Sequence, residues 1–181
     1  MSHITPAARK SFDHLFSAAV RANIGQQATD DIAVTPTAAP AGKGDQPRTM
    51  VLLTCASLRF KLVAVFQVVN EPLARAYFGS NEGSTDAMEA LFKRGNQCCG
   101  AMNRDLLSHV PHIGLSTPSR LNGLATHVLA LLKAEHVSHF AIRVNGDHVL
   151  DAALCMRGRA KVDFVVDTRV AAVETGELEL L

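Results

Sequence analysis

The dipeptide Asn145-Gly146 constrains the fold of this chain more than any other short feature of its sequence. It separates two runs rich in Val, Leu and Ala, residues 137–144 and 148–156. Asn and Gly readily adopt the positive φ angles that a two-residue turn between antiparallel strands requires, so we expect a β-hairpin here. Residues 49–69 contain a second pair of apolar runs with partial alternation and predict another hairpin. An antiparallel sheet follows from these two hairpins.

Other segments have the periodicity and the end residues of helices. Thr5, followed by Pro6, predicts the start of a first helix, and Asn70 predicts the start of a short second helix that stops at Gly79. The longest predicted helix covers residues 85–108. Helices mixed with hairpins in a chain of 181 residues indicate one domain of the α+β class.

The remaining segments complete this prediction. Residues 113–123 read as an extended edge segment broken by Pro118, and residues 124–133 fit either a helix or a strand. A last strand is predicted at residues 162–166. The chain divides into an N-terminal helix (1–27), an Ala/Pro-rich flexible insertion with a short strand near Ile32 (28–48), the core (49–166) and a C-terminal tail (167–181).

Composition excludes several classes of protein. Eighteen Lys and Arg against 17 Asp and Glu give a net charge of +1, without the basic surplus typical of nucleic-acid binding. No apolar run reaches the roughly 18 residues of a membrane span, and the N-terminus has no export signal, so a cytoplasmic protein is expected. The four cysteines lack C-x-x-C spacing and are interpreted as small buried hydrophobes. The eight histidines show no metal-ligand spacing, and we predict no metal site.

The long predicted helix has two different faces. At 100° per residue, an apolar face centred on Gly95 carries Met, Leu, Phe and Cys side chains and is an ordinary core face. The opposite face carries Glu89, Lys93, Asn96, Gln97, Gly100 and Arg104. Gly100 costs about 1 kcal/mol of helix stability. A helix tolerates that cost most readily where another surface must approach closely.

The stretch AMEALFKRGNQCCGAMNRDLL, residues 87–107, resembles the signature helix of the CheC/CheX/FliY response-regulator phosphatases. The order of elements is similar too: a hairpin and a short helix ending in AYFG precede it, and IGLSTPSRLNG and a hairpin follow. The resemblance implies a CheC/CheX-like fold, in which antiparallel sheets pack with a long central helix in a single domain. One copy of the motif is similar to the CheX-like branch, which implies a homodimer.

The resemblance also implies a partner and a reaction. In the family the helix docks on a receiver domain that carries an aspartyl phosphate and its Mg²⁺, so the phosphatase needs no cofactor of its own. The family's asparagine orients a water molecule towards the acyl phosphate, and a glutamate three residues earlier pairs with the receiver's active-site lysine. Carried onto this chain, the catalytic asparagine is Asn96, and Glu89, Lys93, Gln97 and Gly100 become partner-binding residues.

Lys93 departs from the family pattern, because it stands where the glutamate is expected. A lysine that faces the partner's lysine replaces attraction with repulsion, so full activity towards a typical receiver is not expected. Glu89 either pairs with Lys93 on the helix surface or takes over the role of the missing acid. Asn96 could equally be a solvated surface amide, and Gln97 a second water-positioning amide. The alternative function is a catalytically inactive, dimeric interaction or scaffold domain in a signalling pathway.

Overall fold

The structure is a computed structural model that describes residues 2–38, 47–79 and 87–167. The first part of the chain forms α1 (Pro6–Asn23), β1 (Ile32–Thr37), β2 (Arg48–Ala56), β3 (Phe60–Val68), α2 (Glu71–Phe78) and α3 (Ala87–Leu106). The second part forms β4 (Gly114–Leu115), β5 (Ser119–Gly123), α4 (Ala125–Leu131), β6 (His136–Val144) and β7 (Asp147–Gly158). The predicted α+β class is confirmed.

The strands form one antiparallel sheet. Its order is β1-β6-β7-β3-β2-β4, and β5 pairs with β2 beside β4. Alternate residues of β3 enter two apolar clusters, because successive side chains of a strand point to opposite faces. The larger cluster lies under α1, α2 and α3, and the smaller one lies under α4. The sheet is therefore covered by three helices on one side and by one short helix on the other.

Local chemistry explains where the elements start and turn. The Thr5 hydroxyl accepts a hydrogen bond from the backbone N–H of Ala8 at 3.2 Å, and the Asn70 side chain accepts one from Leu73 at 3.2 Å, so both predicted N-caps are confirmed. Asn145 and Gly146 have φ angles of 52° and 89°, as the hairpin prediction requires.

Some segments differ from the prediction or complete it. The predicted last strand at residues 162–166 is wrong, since the structure has only one parallel bridge there, between Ile4 and Val162. The open choice for residues 124–133 is resolved as the helix α4. Within residues 28–48, β1 pairs with β6 along its whole length. The predicted loop before the long helix, that helix's first residues, the centre of the insertion (39–46) and most of the tail (168–181) lie outside the described residues.

The helix α3 lies across one face of the sheet, against α1, α2 and β2. A Cβ atom at Gly95 would stand 3.2 Å from Cδ1 of Leu53, which is tighter than ordinary packing, and 3.6 Å from the ring of Phe66, which is ordinary contact. Gly95 therefore lets α3 approach the sheet closely. No helix among the described residues has the length and hydropathy that crossing a membrane requires.

Candidate functional site

The outward row of α3 is the surface that the sequence singles out. We call Glu89, Lys93, Asn96, Gln97 and Gly100 the α3 ridge. The first four are exposed and Gly100 is half-buried. On the opposite side the helix buries Leu91, Gly95, Cys98, Cys99, Met102 and Leu106 against the core. Because this buried stripe fixes the rotation of the helix, it also determines that Asn96 faces away from the core.

The side chain of Asn96 is not used by the fold. Within the described ranges it makes no hydrogen bond, whereas the amides of Asn23 and Asn70 bind backbone groups of neighbouring helical residues and that of Asn145 binds Asp30. Its carbonyl oxygen can accept, and its NH₂ group can donate, at the same time. Asn96 therefore presents both functions of an amide to an external group.

Glu89 and Lys93 do not neutralise each other. In the part of the chain that the structure describes, an ion pair joins Glu71 to Arg75 and Nε2 of His148 lies 2.8 Å from Oδ1 of Asp151, and neither contact includes a residue of the α3 ridge. The predicted surface ion pair of Glu89 with Lys93 is therefore not formed in this structure. The ammonium group of Lys93 is available to a partner.

Gly100 leaves a gap in the ridge that the chain does not fill. A Cβ atom placed there would meet only the end of the Arg104 side chain, at 3.9 Å, which is ordinary contact distance. No positive φ angle requires glycine at this position. Gly95 differs, because there a Cβ atom would stand 3.2 Å from Cδ1 of Leu53 in the core. The fold thus explains Gly95 and does not explain Gly100.

Gln97 is held by a residue that the sequence reasoning missed. Nη1 of Arg94 donates to Oε1 of Gln97 at 3.2 Å, and Nη2 of Arg94 donates to the backbone oxygen of Gln26 at 3.1 Å. The spacing of Arg94 and Gln97, three residues apart on a helix, is a sequence pattern that could have indicated their contact. Nothing in the sequence indicated Gln26, which lies 68 residues away from Arg94.

The turn between α1 and β1, which contains Gln26, is rigidly built around Asp30. The Asp30 carboxylate accepts hydrogen bonds from the Tyr77 hydroxyl, from the backbone N–H groups of Gln26 and Gln27, and from the Asn145 amide. Burial and the bond to Asp30 raise the pKa of Tyr77 to about 12. Partial burial alone would raise the pKa of Asp30, but its hydrogen bonds, chiefly that from Tyr77, lower it below the ordinary value. The turn is thereby tied to α2 and to the β6–β7 hairpin.

The possible metal ligands of the described residues are scattered over the fold. No group of three or more His, Cys, Asp or Glu side chains in those ranges is placed to hold a metal ion. All four cysteines are free and buried. Among the histidines, His109 stacks on the Phe164 ring and His136 contacts the Ser138 hydroxyl at 3.2 Å.

Comparisons with known proteins give a fold and no sequence family. No family model and no curated protein matches the sequence. The chemotaxis protein CheX from Vibrio vulnificus is similar in structure, with a TM-score of 0.58 and 13% identity over 81% of this chain and 99% of that chain. The CheX of the CheX-CheY-BeF3-Mg complex from Borrelia burgdorferi has a TM-score of 0.55 and 11% identity, covering 82% of this chain and 97% of that one. The FliM middle domain from Vibrio alginolyticus has a TM-score of 0.51 and 13% identity, covering 81% and 91%. The chain has the CheX/CheC-like fold.

Proposed function

We propose that this chain is a CheX-like protein that binds the phosphorylated receiver domain of a response regulator through the α3 ridge. Asn96 carries the proposal, because it is an exposed amide without a partner among the described residues. Gly100, which no internal contact requires, leaves room one turn away for a close approach. The fold that the chain shares with CheX from Borrelia burgdorferi, solved in complex with CheY, BeF3 and Mg, supports a receiver domain as the partner.

In the proposed reaction, Asn96 orients a water molecule towards the aspartyl phosphate of the receiver. Its carbonyl oxygen accepts a hydrogen bond from the water, and its NH₂ group donates to a phosphoryl oxygen. The water oxygen bonds to phosphorus as the bond from phosphorus to the aspartyl oxygen breaks. The released inorganic phosphate keeps the protons of the water, and the receiver's carboxylate is restored. The receiver supplies Mg²⁺ and charge neutralisation, so this chain contributes mainly by positioning the nucleophile.

Lys93 sets the expected level of activity. With no ion pair to Glu89, its full charge faces the partner. Opposite a receiver's lysine, this charge weakens docking, because like charges at an interface are costly. We therefore expect weak hydrolysis by the natural chain and stronger hydrolysis by Lys93→Glu.

The test measures phosphate release from receiver domains of the genome that encodes this chain, each charged with acetyl phosphate and Mg²⁺. Wild type should accelerate release from at least one receiver, Asn96→Ala should lower that acceleration about 100-fold, and Lys93→Glu should raise it. Asn122→Ala and Lys10→Glu are matched controls, because both residues are exposed and lie on other elements, β5 and α1. Spontaneous rates for every receiver, with no binding that depends on phosphorylation, would contradict the proposal.

A second candidate function is an inactive, dimeric interaction domain. Lys93 favours it, as does the fold shared with FliM in the FliM-SpeE complex from H. pylori, at a TM-score of 0.50 and 10% identity. The edge strand β5, in which Leu121 is 42% exposed, pairs only with β2 among the described strands, so its other edge is offered to a second copy. This candidate predicts a dimer in analytical ultracentrifugation, binding without hydrolysis, and no gain of activity from Lys93→Glu.

A further inference from the structure

The amide of Gln97 has a fixed orientation, unlike that of Asn96. Its Oε1 accepts from Nη1 of Arg94 at 3.2 Å. Arginine has donors and no acceptor, so the opposite orientation, with the Gln97 NH₂ group against the guanidinium, would place donor against donor. The NH₂ group of Gln97 is therefore directed away from Arg94, on a side chain that is exposed.

Arg94 is itself anchored at its other nitrogen. Nη2 donates to the backbone oxygen of Gln26, and the Gln26 side chain donates to the backbone oxygen of Phe78 at 3.0 Å. The Gln26 N–H also donates to the Tyr77 hydroxyl at 2.7 Å. The half-buried guanidinium is thus held between the helix that carries the ridge and a turn tied to α2. Less rotamer freedom remains to be lost when a partner binds.

We propose that Gln97 is a partner-binding donor to a phosphoryl oxygen of the receiver, and that Arg94 is the positioning residue that fixes it. The proposal rests on the proposed function of the α3 ridge. It separates the roles of two adjacent amides. Asn96 has both lone pairs of its carbonyl free to accept from water, whereas the Gln97 carbonyl already accepts one hydrogen bond from Arg94 and its NH₂ group is directed away from that contact. Gln97 is therefore assigned the donor role towards the phosphoryl group, and Asn96 the role of positioning the water.

The first experiment compares receiver binding by wild type and Gln97→Glu. The substitution keeps an oxygen for Arg94 and replaces the outward NH₂ donor with a second oxygen. We expect the affinity for the beryllofluoride-loaded receiver to fall at least tenfold, since hydrogen bonds to charged groups are the stronger ones. The affinity for the unloaded receiver should change less than about twofold. Asn122→Asp makes the same amide-to-carboxylate change on β5 and should leave both affinities unchanged. Equal losses for loaded and unloaded receiver would overturn the proposal.

The second experiment is a double-mutant cycle with Arg94→Met and Gln97→Met. If Arg94 acts through Gln97, Arg94→Met weakens loaded-receiver binding in wild type and adds little in the Gln97→Met background. An equal loss in both backgrounds would refute the positioning role. If thermal unfolding shows that Arg94→Met fails to fold, Arg94→Lys takes its place. Its ammonium group can bind either Oε1 of Gln97 or the backbone oxygen of Gln26, so this variant should keep part of the wild-type affinity.

Failure of this inference is distinguishable from failure of the proposed function. Binding by wild type tests the α3 ridge as a receiver-docking surface, and the loaded-to-unloaded ratio of the variants tests Gln97. Wild type that binds the loaded receiver, with Gln97→Glu unchanged in that ratio, would remove Gln97 and Arg94 from the account and leave Asn96 in place.

Discussion

Replacing Gly100 with alanine should stabilise this protein and weaken its binding to a partner. Gly100 lies inside α3, where glycine is about 1 kcal/mol less favourable than alanine. The added Cβ would meet only the end of the flexible Arg104 side chain, at 3.9 Å. Nothing in the described structure therefore opposes the gain in helix propensity. We expect the free energy of unfolding to rise by about 0.5–1 kcal/mol.

Thermal and urea unfolding measure this gain. For a chain of this size, 1 kcal/mol corresponds to a shift of about 2–4 °C in Tm. Gly95→Ala is the matched control on the same helix. Its Cβ would lie 3.2 Å from Cδ1 of Leu53, so this core side chain must move by a few tenths of an ångström, and we expect Gly95→Ala to be less stable than Gly100→Ala. A fall in stability for Gly100→Ala, or equal effects at the two positions, would refute the reasoning that only Gly95 is demanded by packing.

The functional half of this prediction uses the same variant. If a receiver surface presses against the ridge at Gly100, the added methyl group should lower the affinity for the loaded receiver while stability rises. Unchanged affinity would mean that the gap is not part of the contact surface.

Three further predictions concern the fold that supports the ridge. Tyr77 is the only tyrosine and there is no tryptophan, so absorbance at 295 nm should report phenolate formation near pH 12 in the native state and near 10 in urea. Because the folded state binds the Tyr77 proton more tightly, the contribution of the protonated hydroxyl to the free energy of unfolding is complete below pH 10 and is lost as the pH rises to about 12. Equal native and urea midpoints would contradict the bond to Asp30. The four cysteines are buried, and burial raises the pKa of Cys98 to about 12, so a thiol reagent at pH 8 should label none of them rapidly until urea is added. Thr5→Ala should cost about 1 kcal/mol in urea unfolding, and an unchanged midpoint would argue against the cap.

Local patterns carried most of the fold prediction. Asn145 and Gly146 need only their own backbone preferences to form the hairpin turn, and Thr5 and Asn70 cap helices within three residues of themselves. The prediction failed at residues 162–166, where the choice depends on a distant segment. There Val162 meets Ile4 through a single parallel bridge, a pairing that no periodicity within residues 162–166 encodes.

The same division applies to the candidate site. Helical geometry placed Asn96 and Lys93 on the outer face from the sequence alone, because the buried stripe centred on Gly95 fixes the rotation. The role of Arg94 depends on Gln26, whose turn is anchored by Tyr77, and that arrangement exists only in the folded chain. A helical wheel shows which residues face outward but not which of them are already bound.

The distinction between free and bound polar groups determines what the α3 ridge can bind. Arg94 and the carbonyl of Gln97 bind each other, whereas Lys93, Glu89, Asn96 and the NH₂ group of Gln97 have no such partner in the described chain. The groups left open are one cation, one carboxylate, one donor and one amide that both donates and accepts. The two amides are complementary to an anion that carries a bound water, and the phosphoryl group of the proposed receiver partner is an anion of that kind. Glu89 is the one acid of the ridge and lies one turn before Lys93. A rise of hydrolysis in Lys93→Glu means that the partner places a lysine opposite Lys93, and a fall means that it places phosphate oxygens there.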